Sequence, residues 1–240
     1  MSAALHAVHL AVPGRLEPIS LDLGPGELVA MVGPNGAGKS TLIQALAGLL
    51  PAHGNVQWNG QLLSHIPAAE RGRRLAWVGQ EAHFEFAFPV REVVAQGRYA
   101  WGDDPSGVAE ALAELDLAFL ADRPVTRLSG GERHRVGLAR ALATQAPIQL
   151  WDEPVAQLDV RHALEVMRLA RRLADGGSTV VVSLHDLRTA YRFDRVLVLD
   201  HGRLVGNGKP HEVLTADLIR EVFRVEATFV ESLVPELPPD

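Results

Sequence analysis

The residue pattern with the clearest chemical meaning is GPNGAGKST, which follows the apolar run LVAMV and precedes LIQALAGLL. A strand, a glycine-rich turn and a helix in this order present backbone N–H groups to an anion, and phosphate oxygens are the natural ligand. We expect Lys39 to reach the β- and γ-phosphates of a nucleotide, Ser40 to ligate magnesium and Thr41 to contact the α-phosphate. The predicted nucleotide contacts are Gly33, Pro34, Asn35, Gly36, Ala37, Gly38, Lys39, Ser40 and Thr41.

Two adjacent acids, Asp152 and Glu153, follow the apolar run IQLW, which is typical of a buried strand. The chain turns where such a strand ends, so both carboxylates can face a nucleotide bound at that edge of a sheet. Asp152 is then predicted to hold magnesium, directly or through water, and Glu153 to be the general base for the attacking water. Taken alone, the two acids are equally compatible with a surface turn that closes a strand.

A second anion site is predicted at LSGGERHRV, Leu128–Val136. Ser129 can cap the helix that follows, and the two glycines leave N–H groups uncovered at the start of that helix. An ordinary capped helix is the alternative. Because the chain has two such sites and one lysine loop, we expect each nucleotide to lie between two copies of the chain. The predicted contacts here are Ser129, Gly130, Gly131 and Glu132.

Two single residues stand where predicted strands end. Gln80 closes LAWVG and can touch the magnesium or the attacking water, whereas His185 follows TVVVSL and can donate a hydrogen bond to a γ-phosphate. Each is also compatible with an ordinary turn, so both assignments depend on the other motifs. The predicted catalytic residues are Glu153, His185 and Gln80, and the predicted magnesium ligands are Ser40, Gln80 and Asp152. The other nine histidines show no metal-ligand spacing.

The elements that must position these residues alternate between apolar runs and helical patterns, which predicts an α/β domain with a parallel sheet buried on both faces. The expected strands are Leu28–Val32, Leu75–Val78, Ile148–Trp151, Thr179–Leu184 and Arg195–Leu199. The expected helices are Thr41–Leu50, Glu132–Ala143 and His162–Ala174.

Four segments lie outside this alternation. Residues 3–27 and Gly54–Gln61 have the short strands and turns of a small antiparallel layer. Residues 82–128 start with aromatic side chains and continue with helical stretches at Val90–Gln96 and Gly107–Leu115, which predicts a helical insertion. The tail, 211–240, contains a helix that Thr215 can cap. We expect residues 1–240 to form one domain with this insertion and tail.

Composition excludes several classes of protein. With 23 Lys and Arg against 29 Asp and Glu, the net charge of −6 is a poor match to nucleic acid, so no nucleic-acid partner is expected. No apolar stretch approaches the roughly 18 residues that a membrane span needs, and the first residues do not resemble a secretory signal. The absence of cysteine excludes disulfides, thiolate metal sites and a cysteine nucleophile.

Taken in order, GPNGAGKST, Gln80, LSGGE, LWDEP, AQLD at Ala156–Asp159 and His185 resemble the full motif set of the ATP-binding cassette (ABC) ATPases. The resemblance covers nearly the whole chain. It implies a P-loop NTPase fold with a parallel-sheet core, a small antiparallel layer and an inserted helical subdomain, with ATP and Mg²⁺ as cofactors. It also implies a head-to-tail homodimer in which the lysine loop of one copy faces the LSGGE segment of the other, with Asp159 at the seam.

The segment PVREVVAQGRYAW, Pro89–Trp101, is similar to the ATPases of ferric-siderophore, haem and cobalamin importers, and GRLEPISLDLGPGE is most similar to the cobalamin group. This resemblance implies docking onto two integral-membrane permease subunits at the cytoplasmic face of the inner membrane, with an external substrate-binding protein involved indirectly. The insertion after Gln80 is the expected permease contact. A soluble clamp on nucleic acid or ribosomes is the rival, and a single cassette with negative net charge disfavours it. A small-molecule kinase would leave LSGGE and His185 without a role.

Two positions depart from the family pattern. The family usually has an aromatic residue before the lysine loop that stacks on adenine, but Ala7–Ile19 contains no Phe, Tyr or Trp. Arg15 can offer its guanidinium plane instead, or the base is held loosely. Gln157 stands where a small residue is usual, which predicts a polar contact at the dimer seam.

Overall fold

The computed structural model describes residues 4–102, 104–156, 158–228 and 236–237. Its strands are β1 (Leu5–Val12), β2 (Leu16–Leu23), β3 (Leu28–Val32), β4 (His53–Trp58), β5 (Gln61–Leu62), β6 (Leu75–Val78), β7 (Ile148–Trp151), β8 (Thr179–Ser183), β9 (Arg195–Asp200) and β10 (Arg203–Gly208). Its α-helices are α1 (Lys39–Leu46), α2 (Ala68–Arg74), α3 (Val90–Ala95), α4 (Val108–Glu114), α5 (Gly130–Ala143), α6 (Val160–Asp175), α7 (Leu187–Ala190), α8 (Pro210–Val213) and α9 (Ala216–Phe223).

The main sheet has the strand order β10-β9-β3-β8-β7-β6. The five strands from β9 to β6 are parallel, and all five were predicted from their apolar runs. The edge strand β10 pairs with β9 in the antiparallel direction and was not predicted, so the sheet is mixed. The α/β fold with a parallel core is confirmed.

The predicted antiparallel layer is also confirmed, as a second sheet with the order β2-β1-β4-β5. It packs next to α1, where the Trp58 indole N–H donates to the Leu46 carbonyl at 3.1 Å. This sheet therefore covers the helix that follows the lysine loop.

The side chains of the parallel strands alternate between two apolar clusters, one on each face of the main sheet. Val29 and Met31 of β3 belong to the cluster that includes α1 and the small sheet. Ala30 and Val32 belong to the cluster that includes α5 and α6. Every residue of β3, β7 and β8 is buried, so the sheet edge that carries the functional residues rests on a rigid core.

Helices α3 and α4 lie between β6 and β7 in the chain, and α5 packs against both of them. The helices 90–95 and 108–114 fall inside the segment for which an insertion was predicted, although its status as a separate unit stays a prediction. In the tail, Thr215 caps α9 as expected, its side chain accepting from the Leu218 N–H at 3.2 Å. Within the described ranges, no helix is long and apolar enough to cross a bilayer.

Candidate nucleotide-binding and catalytic site

Four neighbouring strands bring most of the predicted site residues to one edge of the main sheet. In the pairing register, Val78 of β6 lies beside Trp151 of β7, which lies beside Val182 of β8. The lysine loop follows β3, Gln80 follows β6, the acids follow β7 and His185 follows β8. Parallel strands end together, so these residues converge where α/β proteins bind ligands.

At Gly33 and Gly38, the lysine loop has backbone angles that only glycine adopts without strain. Gly33 has φ +155° and Gly38 has φ +103°. A Cβ atom at Gly33 would lie 2.2 Å from the Leu199 carbonyl oxygen, so the loop packs directly on β9. Helix α1 begins at Lys39, two residues earlier than predicted, and the loop therefore ends at the helix N-terminus. This is the arrangement in which backbone N–H groups bind phosphate.

Lys39 is almost fully buried, and its ammonium group donates to the carbonyls of Gly33 at 2.8 Å and Pro34 at 3.2 Å. Burial lowers the pKa of Lys39, while the nearby carboxylates of Glu153 and Asp152 oppose this and raise it. The loop lysine and the two acids therefore act on one another electrostatically, as a shared nucleotide site requires.

Glu153 is the centre of the predicted catalytic group. Its Oε2 accepts from Gln80 Nε2 at 2.9 Å, and its Oε1 lies 2.6 Å from His185 Nε2. The side chain is buried, and its backbone has φ +52°, which is uncommon for a residue other than glycine. The structure thus brings together all three predicted catalytic residues, with Glu153 bridging the other two.

Ser183, at the end of β8, belongs to this site and was not predicted. Its hydroxyl donates to Asp152 Oδ1 at 2.6 Å and accepts from the Glu153 N–H at 2.8 Å. One hydroxyl therefore fixes a side chain and a backbone group of the two adjacent acids. A polar residue that ends the otherwise apolar run TVVVS was the available signal.

Ser129 caps α5 as predicted, in a reciprocal capping box with Glu132. The Ser129 hydroxyl accepts from the Glu132 N–H at 3.2 Å, and a Glu132 carboxylate oxygen accepts from the Ser129 N–H at 2.7 Å. The latter bond is the main reason that the pKa of Glu132 lies below its usual value. Among the described residues, no hydrogen bond or ion pair links this cap to the lysine loop of the same chain.

His134, one turn into α5, is a second residue that sequence analysis missed. It is buried, and its Nε2 lies 2.6 Å from the carbonyl oxygen of Pro154, the residue after Glu153. Burial lowers the pKa of His134. The imidazole is therefore neutral and donates from Nε2, which joins the capped helix to the chain that follows the acids.

The residues present fit a magnesium ion shared with a phosphate. In the described part of the chain, no group of three or more His, Asp or Glu side chains could hold a metal without other ligands. In nucleotide sites Mg²⁺ takes one or two protein oxygens and completes its shell with water and phosphate oxygens. The anchored Asp152 carboxylate and the Ser40 hydroxyl in the first turn of α1 are such a set.

Three further positions were singled out in the sequence, and the structure describes two of them, Asp159 and Arg15. Asp159 caps α6, and its Oδ1 accepts from the His162 N–H at 2.9 Å. Arg15 lies in the exposed turn between β1 and β2, and a Cβ at Gly38 would be 3.5 Å from its carbonyl oxygen. The turn therefore adjoins the lysine loop. Gln157 lies outside the described residues.

The sheet order, the loop after β3 and the acids after β7 define a P-loop nucleotide-binding ATPase. Comparison with known families gives the finer assignment, because the ABC transporter family model matches residues 16–156. This chain belongs to the ABC transporter family, and it is an ATP-hydrolysing member.

Individual relatives extend the similarity to most of the chain. A hemin import ATP-binding protein, HmuV, of Streptomyces coelicolor is 46% identical over 224 residues, covering 90% of this chain and 80% of the relative. A cobalamin import ATP-binding protein, BtuD, of Halobacterium salinarum is 44% identical over 225 residues, covering 90% of this chain and 56% of the relative. Among solved structures, a dimeric ATP-binding cassette in a post-hydrolysis state with ADP and Pi has a TM-score of 0.78 at 25% identity, covering 86% of this chain and 98% of that one.

Proposed function

We propose that this chain is the ATP-hydrolysing subunit of an ABC importer for cobalamin or an iron chelate such as haem or a siderophore. The assignment of ATP hydrolysis rests on the Glu153 carboxylate, which bridges Gln80 and His185 and follows the buried Asp152 in the chain. The importer part is supported by the relatives that are named for hemin and cobalamin import.

Each residue of the bridge has a distinct role. The Glu153 carboxylate accepts a proton from the attacking water, since it is the one base at the strand end that both neighbours orient. When nucleotide binds, His185 exchanges its contact with Glu153 for a hydrogen bond to the γ-phosphate, while Gln80 positions the water and would ligate the metal. Asp152, Ser40 and Gln80 would hold the magnesium ion, which supplies charge neutralisation on the phosphates when bound.

The lysine loop binds the phosphates, and Arg15 holds the base. The positive charge of Lys39 and the backbone N–H groups of residues 35–40 would face the β- and γ-phosphate oxygens. Arg15 replaces the usual aromatic residue, since its turn borders the loop and a guanidinium plane can stack on adenine.

Two copies of the chain complete each site. The cap at Ser129–Glu132 is a phosphate-sized cradle that makes no bond to the lysine loop of its own chain within the described ranges, so a second copy presents it across the nucleotide. ATP closes this head-to-tail dimer, and hydrolysis lets it open. Asp159 lies at the seam.

The dimer acts on a pair of membrane subunits at the cytoplasmic face of the inner membrane, and an external binding protein delivers the substrate to them. The segment 82–128, which follows Gln80, is the part that contacts those subunits. Closure of the dimer would move this segment and so change the side of the membrane to which the transport path opens. The relatives' names give no support to the alternative of a clamp on nucleic acid or ribosomes.

Reconstitution tests the proposal. The chain is co-expressed with a candidate permease pair, purified in detergent and placed in vesicles that contain ATP, and the substrate is added outside together with the binding protein. We expect the permease to be recovered with the chain and the uptake of cobalamin or haem to depend on ATP. Recovery with nucleic acid alone, or uptake that is the same without ATP, would contradict the proposed function.

A further inference from the structure

The His134 imidazole is buried, and only one of its two ring nitrogens has a partner. The residue is 2% exposed, and its Nε2 donates to the Pro154 carbonyl at 2.6 Å. Its Nδ1 is also buried and has no hydrogen-bond partner among the described residues. Because a buried polar atom without a partner is unfavourable, packing alone favours an apolar side chain at this position. The bond to Pro154 is therefore what histidine contributes here.

That bond holds one end of a strained piece of backbone. Glu153 has φ +52°, a conformation that residues other than glycine keep only where their surroundings enforce it. The Ser183 hydroxyl accepts from the Glu153 N–H at 2.8 Å, and His134 holds the carbonyl of the next residue, Pro154. The proline ring fixes its own φ between these two bonds. Since the backbone sets where a side chain points, the two bonds together orient the Glu153 carboxylate.

Among the side chains of α5, His134 has a distinct direction of contact. In the described part of the chain, no other α5 side chain makes a hydrogen bond to residues 152–156. Arg135, the next residue and also buried, donates instead to the carbonyls of Leu115 and Asp116 at 2.9 and 3.2 Å. Two neighbouring buried side chains thus hold α5 at two places, and only His134 holds it to the acids.

Helix α5 offers His134 two routes to the reaction. Ser129 caps the helix, and the five residues from Ser129 to His134 span about 7.5 Å along a helix axis. His134 can therefore act through Pro154 on the Glu153 of its own copy, or through α5 on the cap that faces the nucleotide of the other copy. The structure favours the first route, because the cap is already fixed by its own reciprocal bonds between Ser129 and Glu132.

We propose that His134 is a positioning residue for the Glu153 base of its own copy, and that it acts through the Pro154 carbonyl. The base and the paired copies rest on the proposed function, and the role of His134 is the new element. Without this bond one end of the strained backbone is released, so the carboxylate is held less well for proton transfer from water. The lysine loop follows a different strand, β3, so ATP binding should not change.

The first test is steady-state ATP hydrolysis by the full chain. His134→Leu lacks a donor and should lower kcat roughly tenfold, with the KM for ATP within about twofold of the wild type. His134→Gln keeps a donor for the carbonyl, and its kcat should stay within about threefold of the wild type. The matched control is Arg135→Met, which removes the neighbouring bond of the same helix and should keep kcat. Circular dichroism checks folding, and His134→Met takes the place of His134→Leu if the latter does not fold.

The second test separates the two routes. Two full-length copies are joined by a long flexible linker, and Glu153→Gln in the first copy leaves one working site. That site combines the Glu153 of the second copy with the Ser129 cap of the first. His134→Leu added to the second copy should slow hydrolysis roughly tenfold, whereas the same change in the first copy should have little effect.

The outcomes distinguish the inference from the proposed function. A kcat of His134→Leu equal to that of the wild type overturns the inference alone. A loss that His134→Gln shares in full, or one that follows the first linked copy, does the same. A wild-type chain that hydrolyses no ATP overturns the proposed function instead, and the inference with it.

Discussion

At the scale of single residues, the proposed hydrolysis depends most on Glu153. The residue is held at both carboxylate oxygens, by Gln80 and by His185, and at its backbone N–H by Ser183. Its positive φ is an unfavourable backbone conformation, and the surrounding hydrogen bonds stabilise it. Gln80 and the Ser183 hydroxyl keep this base in place when His185 turns to the γ-phosphate, which favours general base catalysis.

Glu153→Gln should lower the rate of ATP hydrolysis by roughly 10²- to 10⁴-fold, since the amide cannot accept the proton of the attacking water. Nucleotide binding should be retained, because the lysine loop is unchanged. Single-turnover hydrolysis and equilibrium ATP binding measure the two effects separately. Glu110→Gln, at an exposed acid of α4, is the matched control and should hydrolyse normally. Hydrolysis by Glu153→Gln at the wild-type rate would remove Glu153 from its role.

His134 gives a pH dependence at the same scale. Burial lowers its pKa below 6.5, so the folded chain binds this proton less readily than the unfolded chain does. Below about pH 6.5 the unfolded chain binds a proton at this histidine and the folded chain does not, so the free energy of unfolding falls as the pH decreases. Well above that pH the histidine is neutral in both states and has no such effect. His134→Gln keeps a donor for the Pro154 carbonyl and removes the titration. Urea unfolding of both proteins on each side of that pH should show a smaller acid loss for the variant. An identical loss in the two proteins would contradict this.

At the scale of elements, the capped start of α5 is both a structural and a functional feature. Ser129 and Thr215 are N-caps of α5 and α9, and each accepts from the N–H three residues on, at 3.2 Å. Only the first cap is followed by two glycines that leave its N–H groups uncovered. Substitutions at the two caps therefore distinguish the effect of capping on stability from the effect of phosphate binding on activity.

Ser129→Ala and Thr215→Ala should each destabilise the fold by about 0.5–2 kcal/mol, the usual cost of a lost N-cap. Only Ser129→Ala should also reduce ATPase activity, because the hydroxyl would contact the phosphate held by the partner copy. Thermal unfolding and steady-state hydrolysis are measured on both variants. Equal ATPase activity of the two variants would show that this cap is structural alone.

The elements that sequence analysis located share a strong periodic signal. Strands β3, β7 and β8 are continuous apolar runs, and α6 has a clear apolar face. Strand β10, RLVGNG, is half-exposed and contains two glycines, and α2, AAERGRR, buries no residue, so neither has such a signal. The contacts of Ser183 with Asp152 and of His134 with Pro154 join residues 31 and 20 positions apart, which depend on strand order and helix packing that no local pattern encodes.

At the scale of the whole molecule, the catalytic edge is joined directly to the segment 82–128. The chain from β6 runs through Gln80 into α3 of that segment, and α5 packs against both α3 and α4. Helix α5 begins at the Ser129 cap. A nucleotide that contacts Gln80 or Ser129 is therefore linked to the proposed permease contact, the segment 82–128, through a short stretch of chain or through one helix.

We infer that a triphosphate is held between the lysine loop of one copy and the Ser129 cap of another. Light scattering of Glu153→Gln with Mg²⁺ and ATP measures this directly, with the double variant that adds Ser129→Arg beside it. We expect ATP to double the mass of the single variant and to leave the double variant a monomer. A single variant that stays monomeric with saturating ATP, or a double variant that still dimerises, would contradict it.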